Sequence, residues 1–286
     1  MTVEIREVEA NGLTFTCRTA GPDDGEPVLL LHGFPETSHM WVPLMTDLAA
    51  AGYRCVAPDQ RGYSPGARPP DVADYHYEHL AADALAIAKA AGFDRFHLIG
   101  HDWGAAVGWA VLAVDPAPVA SWTALSVAHY RAAAEAVWAE GEQADYRAIL
   151  DLFLSDQAEA ALGGNDMAGL RMAWSESSPA QHEAYAAVFG QPGALTAALN
   201  WYRASDAHRQ ALEPGGLEFG AVATPTLVLW GKNDPYVRAQ SVHGAAKYMT
   251  GPYEVVELDA GHWLVQERPD EVRENVLKHL AAWKLT

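Results

Sequence analysis

The run Gly100-His101-Asp102-Trp103-Gly104 constrains what this chain can fold into more than any other stretch of its 286 residues. It has the form G-x-S-x-G, in which a strand turns sharply into a helix and lifts one side chain to the top of a sheet, but with aspartate in place of serine. Phe96, His97, Leu98 and Ile99 lead in as a buried strand, and residues 105–110 lead out as a helix. Gly100 and Gly104 remove the side chains that would clash inside such a turn. The carboxylate of Asp102 is therefore expected at the apex, facing a pocket.

The rest of the chain supplies the sheet that this turn needs. Residues 3–8 and 13–18 alternate on either side of Asn11-Gly12, a strong hairpin signal. Residues 28–31 and 53–57 are short apolar runs of the kind found in strands covered on both faces. Thr37-Ser38 caps a helix running through Leu48, and residues 77–91 carry Leu80, Ala84, Leu85, Ile87 and Ala88 at helical spacing up to Gly92. A strand at 121–127 follows. Residues 129–215 break the rhythm, being helical in pattern and rich in Ala, Glu and Gln, with loop signals at Gly163-Gly164, Pro179 and Pro192-Gly193. Alternation resumes with a strand at 226–230, a helix at 239–249, a strand at 253–258 and a last helix at 269–283. Strands alternating with helices imply parallel βαβ units. The expected fold is α/β, a mostly parallel doubly wound sheet with an N-terminal antiparallel hairpin. Its core spans residues 1–128 and 216–286, interrupted by a helical cap at 129–215.

A formal charge of −18 argues against nucleic acid and anionic membrane surfaces as partners, because both call for clustered Lys and Arg. No apolar stretch reaches the ~18 residues of a membrane span. The N-terminus lacks the basic and apolar regions of a signal peptide, so a soluble, cytoplasmic protein is expected. Cys17 and Cys55 form no disulfide framework, and Cys55 reads as a small core residue. No Cys/His cluster has metal-ligand spacing and no Gly-rich phosphate loop is present, so neither a metal nor a cofactor is expected.

Asp102, Asp234 and His262 form a candidate catalytic set. Each directly follows an expected strand, which puts all three at the carboxyl edge of a parallel sheet. A carboxylate is a poor nucleophile toward amides, but it displaces a leaving group at an sp³ carbon and forms an ester with the enzyme. Water deprotonated by His262 then opens that ester, while Asp234 holds the imidazole in its tautomer. The oxyanion formed on Asp102 needs donors, and the backbone N–H groups of Trp103 and Phe34 are the candidates. Arg61 and Asp59 read as structural, His32 and His101 as packing or hydrogen-bonding residues, and Trp41, Trp138, Trp174 and Trp201 as core or pocket wall.

Four motifs taken together make the resemblance specific: His32-Gly33-Phe34-Pro35, Asp59-Gln60-Arg61-Gly62-Tyr63-Ser64, Gly100-His101-Asp102-Trp103-Gly104 and Ala260-Gly261-His262-Trp263. Across nearly the whole core the chain resembles the α/β-hydrolase-fold epoxide hydrolases of the soluble bacterial type, whose order of nucleophile, acid and histidine it shares. The resemblance implies a small apolar epoxide and water as substrates, with Trp103, Phe34, Pro35 and Trp201 binding the substrate, and a homodimer is compatible with it. It also implies a pair of cap tyrosines that protonate the opening epoxide. Asn200-Trp201-Tyr202-Arg203 nominates Tyr202, and Asp145-Tyr146-Arg147 nominates Tyr146, with Tyr130, Tyr185 and Tyr75 as fallbacks. A phenol with a pKa of ~10 donates to an alkoxide yet stays protonated at neutral pH. Haloalkane or haloacid dehalogenases share Asp102, Trp103 and His262, so that chemistry stays open. One class of them carries asparagine at the position of Phe34. Another has arginines soon after the nucleophile, where this chain has Ala105 and Ala106. A non-catalytic ligand binder on the same fold is the alternative from another class.

Overall fold

The computed structural model describes residues 2–140, 144–204 and 217–285. Eight strands form one sheet: β1 (Glu4–Ala10), β2 (Leu13–Ala20), β3 (Glu26–Leu31), β4 (Tyr53–Pro58), β5 (Phe96–His101), β6 (Val119–Leu125), β7 (Thr226–Gly231) and β8 (Tyr253–Leu258). Their order is β1-β2-β4-β3-β5-β6-β7-β8. The pairs β1/β2 and β2/β4 are antiparallel and the rest parallel. The expected α/β fold with its N-terminal hairpin is therefore the observed one. Asn11 and Gly12 both take positive φ, 52° and 76°, as a two-residue hairpin turn demands. Strand β1 lies at the sheet edge, where Glu4, Arg6, Glu7 and Glu9 discourage pairing with another chain.

The helices of the α/β layers are α1 (Val42–Ala50), α2 (Tyr77–Ala90), α3 (Trp103–Val114), α9 (Ala239–Gly244), α10 (Leu264–Glu267) and α11 (Pro269–Ala282). Two expected helices tighten into 3-10 turns: Ser38–Trp41 ahead of α1, capped by the Thr37 hydroxyl, and Ala245–Tyr248 after α9. Strand β6 runs two residues earlier than its apolar pattern suggests, ending before Ser126, whose φ of 69° takes the chain out of the sheet. Between β6 and β7 lie α4 (Tyr130–Glu140), α5 (Ala144–Leu154), α6 (Ala158–Ala173), α7 (Pro179–Phe189) and α8 (Ala194–Ala204). Among the described residues of this insertion there is no strand. The Gly163-Gly164 signal marks a break inside α6, where Asn165, Asp166 and Met167 take left-handed φ. The expected domain boundary at 215/216 lies outside the described residues.

Helix α3 is apolar all round and almost wholly buried, so it packs tightly enough that side-chain volume decides its position. A Cβ on Gly104 would stand 2.0 Å from the carbonyl oxygen of Leu31, and one on Gly100 would stand 2.4 Å from the Gly104 carbonyl oxygen. Both obstacles are backbone and cannot rotate away. Gly104→Ala is expected to lower stability by about 1–3 kcal/mol through overpacking, more than the ~1 kcal/mol that alanine's helix propensity offers. The measurement is the urea midpoint; a midpoint at or above wild type would contradict the close-approach account.

Candidate active site

Four strand ends converge above the sheet: the loop after β3 brings Phe34, the turn after β5 brings Asp102, the loop after β7 brings Asp234 and the loop after β8 brings His262. This is the carboxyl edge on which open α/β folds keep their sites. Asp102 takes φ 52° and ψ −119°, a conformation that costs on the order of 1–3 kcal/mol for a residue with a side chain and that persists where surrounding packing enforces it. That packing is visible: a Cβ on Gly33 would lie 2.4 Å from both Cβ and Oδ1 of Asp102.

His262 sits between the two carboxylates. Its Nδ1–H donates to Asp234 Oδ2 at 2.7 Å, and its Nε2 lies 3.3 Å from Asp102 Oδ2. Asp234 is oriented in turn, since its Oδ1 accepts from the backbone N–H groups of Tyr236 at 2.8 Å and Val237 at 3.0 Å. The other oxygen of Asp102, Oδ1, accepts from the Phe34 N–H at 2.8 Å, and the backbone of Trp103 also hydrogen-bonds this carboxylate. Burial acts against the charge on Asp102, but the hydrogen bond and charge of His262 outweigh it and hold its pKa below the ordinary value. Burial likewise disfavours a charged imidazole. The charge of Asp234, with the hydrogen bonds to Asp102 and Asp234, reverses that and raises His262 to about 10.

Sequence reasoning missed several groups that fix His262. Its carbonyl oxygen accepts from Ser126 Oγ at 3.0 Å and from His101 Nε2–H at 2.9 Å. Glu267 accepts from the backbone N–H groups on either side, Gly261 at 2.7 Å and Trp263 at 3.1 Å. A Gly-His-Trp followed by Glu four residues after Trp263 is the signal that could have revealed the last of these. The ring of Tyr236 packs edge-on against the imidazole, with centroids 5.0 Å apart.

Above the triad lies a cavity of about 540 Å³ between the sheet edge and the helical insertion. Asp102 and His262 open onto it, as do Phe34, Pro35, Trp103, Tyr146 and Tyr202. The Tyr202 ring packs edge-on against Phe34 at 5.4 Å and Trp103 at 5.0 Å, over the two donors to Asp102. Burial, then the nearby charge of Asp102, pushes the Tyr202 phenol well above its usual value, so it stays protonated. Tyr146 stands on α5 beside Tyr236, ring centroids 6.0 Å apart.

Of the fallback tyrosines, only Tyr130 faces the cavity. Tyr75 donates to the Pro69 carbonyl at 2.8 Å and Tyr185 to Glu36 Oε1 at 2.9 Å, which occupies both elsewhere. Trp201 needs correction as a substrate-binding residue. It is fully buried behind the wall, where its indole N–H donates to the Arg61 carbonyl at 2.9 Å and its ring packs against Trp103 and Tyr63. Helix α8 points neighbouring residues in different directions, so Tyr202 reaches the cavity and Trp201 the core. Trp138 is also no wall residue, being 75% exposed. Arg61 pairs with Asp83 through two hydrogen bonds of 2.6 and 2.8 Å, and Asp59 accepts from Ser38, so both have the structural places expected. The insertion is tied to the core at the same loop that supplies Phe34, where the Trp174 indole N–H donates to the Pro35 carbonyl at 2.7 Å.

Among the described residues no helix is long and apolar enough to cross a membrane, and no group of three or more His, Cys, Asp or Glu has the geometry of a metal site.

A carboxylate thus stands at the apex of the turn, with an acid–histidine pair beside it and a cavity above. A family model described as alpha/beta hydrolase fold matches residues 26–269. Epoxide hydrolase A of Mycobacterium tuberculosis is 31% identical, over 98% of this chain and 98% of that protein. The AB hydrolase superfamily protein YfhM of Bacillus subtilis is 30% identical, over 97% of this chain and 98% of its own. The crystal structure of epoxide hydrolase A from Mycobacterium thermoresistibile aligns over 100% of both chains with a TM-score of 0.81 at 29% identity. The chain belongs to the α/β-hydrolase-fold family, and the Mycobacterium tuberculosis relative is among those named epoxide hydrolases.

Proposed function

We propose that this protein hydrolyses epoxides to vicinal diols through an ester formed on Asp102. One observation carries the reading: the apex of the turn holds a carboxylate with one oxygen bound by the Phe34 N–H at 2.8 Å and the other 3.3 Å from His262 Nε2. The first oxygen is set for an oxyanion and the second faces the base. In the first half-reaction Asp102 Oδ2 attacks an epoxide carbon, the carbon–oxygen bond of the ring breaks, and the freed oxygen takes a proton from Tyr202 or Tyr146. In the second, water gives a proton to His262 Nε2 and attacks Cγ of Asp102. The oxyanion on Oδ1 is stabilised by the two backbone donors. Collapse releases the diol, regenerates the carboxylate, and leaves one proton to restore the tyrosine. The helices of residues 129–215 act as a cap that covers the site and supplies the tyrosines, with residues 1–128 and 216–286 forming the core. The two relatives named epoxide hydrolase A support the epoxide over a haloalkane as substrate.

The cap tyrosines test the reading. Without either hydroxyl the alkoxide must form unassisted in a dry pocket, where charge is costly. General-acid assistance contributes about 10²–10⁴-fold, so the Tyr146→Phe/Tyr202→Phe double variant is expected to lose that much in single-turnover alkylation by styrene oxide. Each single variant retains one donor and loses less, and hydrolysis of a preformed ester is spared. Alkylation at the wild-type rate, together with halide release from a haloalkane panel, would move the assignment to dehalogenation.

A further inference from the structure

Tyr236 belongs to neither the acid–histidine pair nor the cap tyrosines, yet it touches both. It lies two residues past Asp234 and gives its backbone N–H to Asp234 Oδ1 at 2.8 Å. Its ring stands nearly perpendicular to the His262 imidazole, at 84° and 5.0 Å between centroids, and forms part of the cavity wall. On its other side it meets Tyr146 at 6.0 Å. Two further rings confine the imidazole, Trp263 at 5.0 Å and His101 at 5.0 Å.

The restraint on His262 changes during the reaction proposed above, on which this inference rests. In the free enzyme Nε2 is held by Asp102 Oδ2 and Nδ1 by Asp234. Once Oδ2 carries the alkyl group it is an ester oxygen with no charge, and the hold on Nε2 is lost. The imidazole is then fixed by one hydrogen bond on Nδ1 and by the rings packed around it. A single hydrogen bond leaves the ring free to tilt about that contact, and the water it must deprotonate sits at the far nitrogen. We propose that Tyr236 is a positioning residue for the hydrolytic half-reaction: its ring keeps His262 aimed at the ester after alkylation has removed the Asp102 contact. The ring does this by packing, so the hydroxyl is dispensable. Alkylation draws on it little, because in that step Asp102 itself is the nucleophile and Tyr202, packed on Phe34 and Trp103, remains as a proton donor.

The experiment is single-turnover kinetics with styrene oxide, resolving alkylation from hydrolysis, on Tyr236→Phe, Tyr236→Leu and Tyr236→Ala. Phe is expected to keep both steps close to wild type. Leu and Ala are expected to keep alkylation while losing about 10- to 100-fold in hydrolysis, the scale on which a small misplacement of a catalytic group acts. Retained alkylation also shows that the variants are folded. Equal losses in both steps, wild-type hydrolysis in Leu and Ala, or slowed alkylation in Phe would each overturn the proposal; the last would make Tyr236 a third proton donor. A His262→Gln control separates this inference from the reading beneath it. If that control accumulates no adduct on Asp102 by mass spectrometry, the ester mechanism fails and takes this inference with it. If the adduct forms and Tyr236→Ala still hydrolyses normally, only the role of Tyr236 fails.

Discussion

Asp102→Asn is expected to abolish initial turnover, with a loss on the order of 10⁴- to 10⁶-fold, the scale seen when a covalent nucleophile is removed. The carboxamide keeps the size of the side chain and the oxygen that accepts from the Phe34 N–H, but its nitrogen cannot form the alkyl ester. The fold should survive, because asparagine, like aspartate, is among the residues that best tolerate the positive φ of 52° at this position. The test is the early rate of diol formation in freshly purified protein. Slow recovery is itself informative, since His262 and the oxyanion donors can hydrolyse the amide back to aspartate. Initial activity near wild type would sink the assignment of Asp102 as nucleophile.

His262→Gln should separate the two half-reactions. Asp102 keeps the Phe34 and Trp103 N–H donors that favour its charged form, so alkylation proceeds, but no base activates the water and the ester persists. One equivalent of epoxide is consumed, turnover then stalls, and the denatured protein gains the mass of the substrate. Loss in the hydrolytic step is expected on the order of 10⁴-fold or more. The pH dependence follows from the charges around the imidazole. In the free enzyme His262 is raised to about 10, with contributions from Asp102. Alkylation turns Asp102 into a neutral ester, so the histidine pKa must fall and release the neutral base that hydrolysis requires. The hydrolysis rate is therefore expected to rise with pH through a midpoint below the free-enzyme value. Coinciding midpoints would show that Asp102 does not set the charge of His262. For stability the sign is the reverse: the charged pair contributes fully below the ordinary histidine pKa of ~6.5 and its contribution is lost as pH rises through about 10.

Features that depend on a few neighbouring residues were readable in the chain. The turn at Asp102 is one, because only glycines at 100 and 104 allow helix α3 to approach β3 and its own turn so closely. The hairpin at Asn11-Gly12, the buried runs of β3, β4, β5 and β7, and the placing of Asp234 and His262 just past strand ends are others. The proposed chemical type was argued from the same turn, because a carboxylate at that apex favours carbon alkylation over acyl transfer. Where several local patterns met in one order, the family resemblance followed from the residues themselves.

What the tertiary structure decided is which side chains share a space. Trp201 and Tyr202 are adjacent in the chain and equally aromatic. Only the packing of α8 against the core sends one to the Arg61 carbonyl and the other over Phe34 and Trp103. Tyr75, Tyr130 and Tyr185, the alternatives to Tyr146, were alike as residue types until hydrogen bonds to Pro69 and Glu36 engaged Tyr75 and Tyr185 and left Tyr130 on the cavity with Tyr146. The contacts of His262 with Ser126, His101 and Tyr236 come from three separate segments and carry almost no local signature, unlike those of Glu267. Turn geometry and hydrophobic period are properties of short stretches, and so they are written in sequence order. The direction of a side chain on a helix, and the partner it meets, depend on how that helix docks, which is settled by the summed packing of residues far apart in the chain.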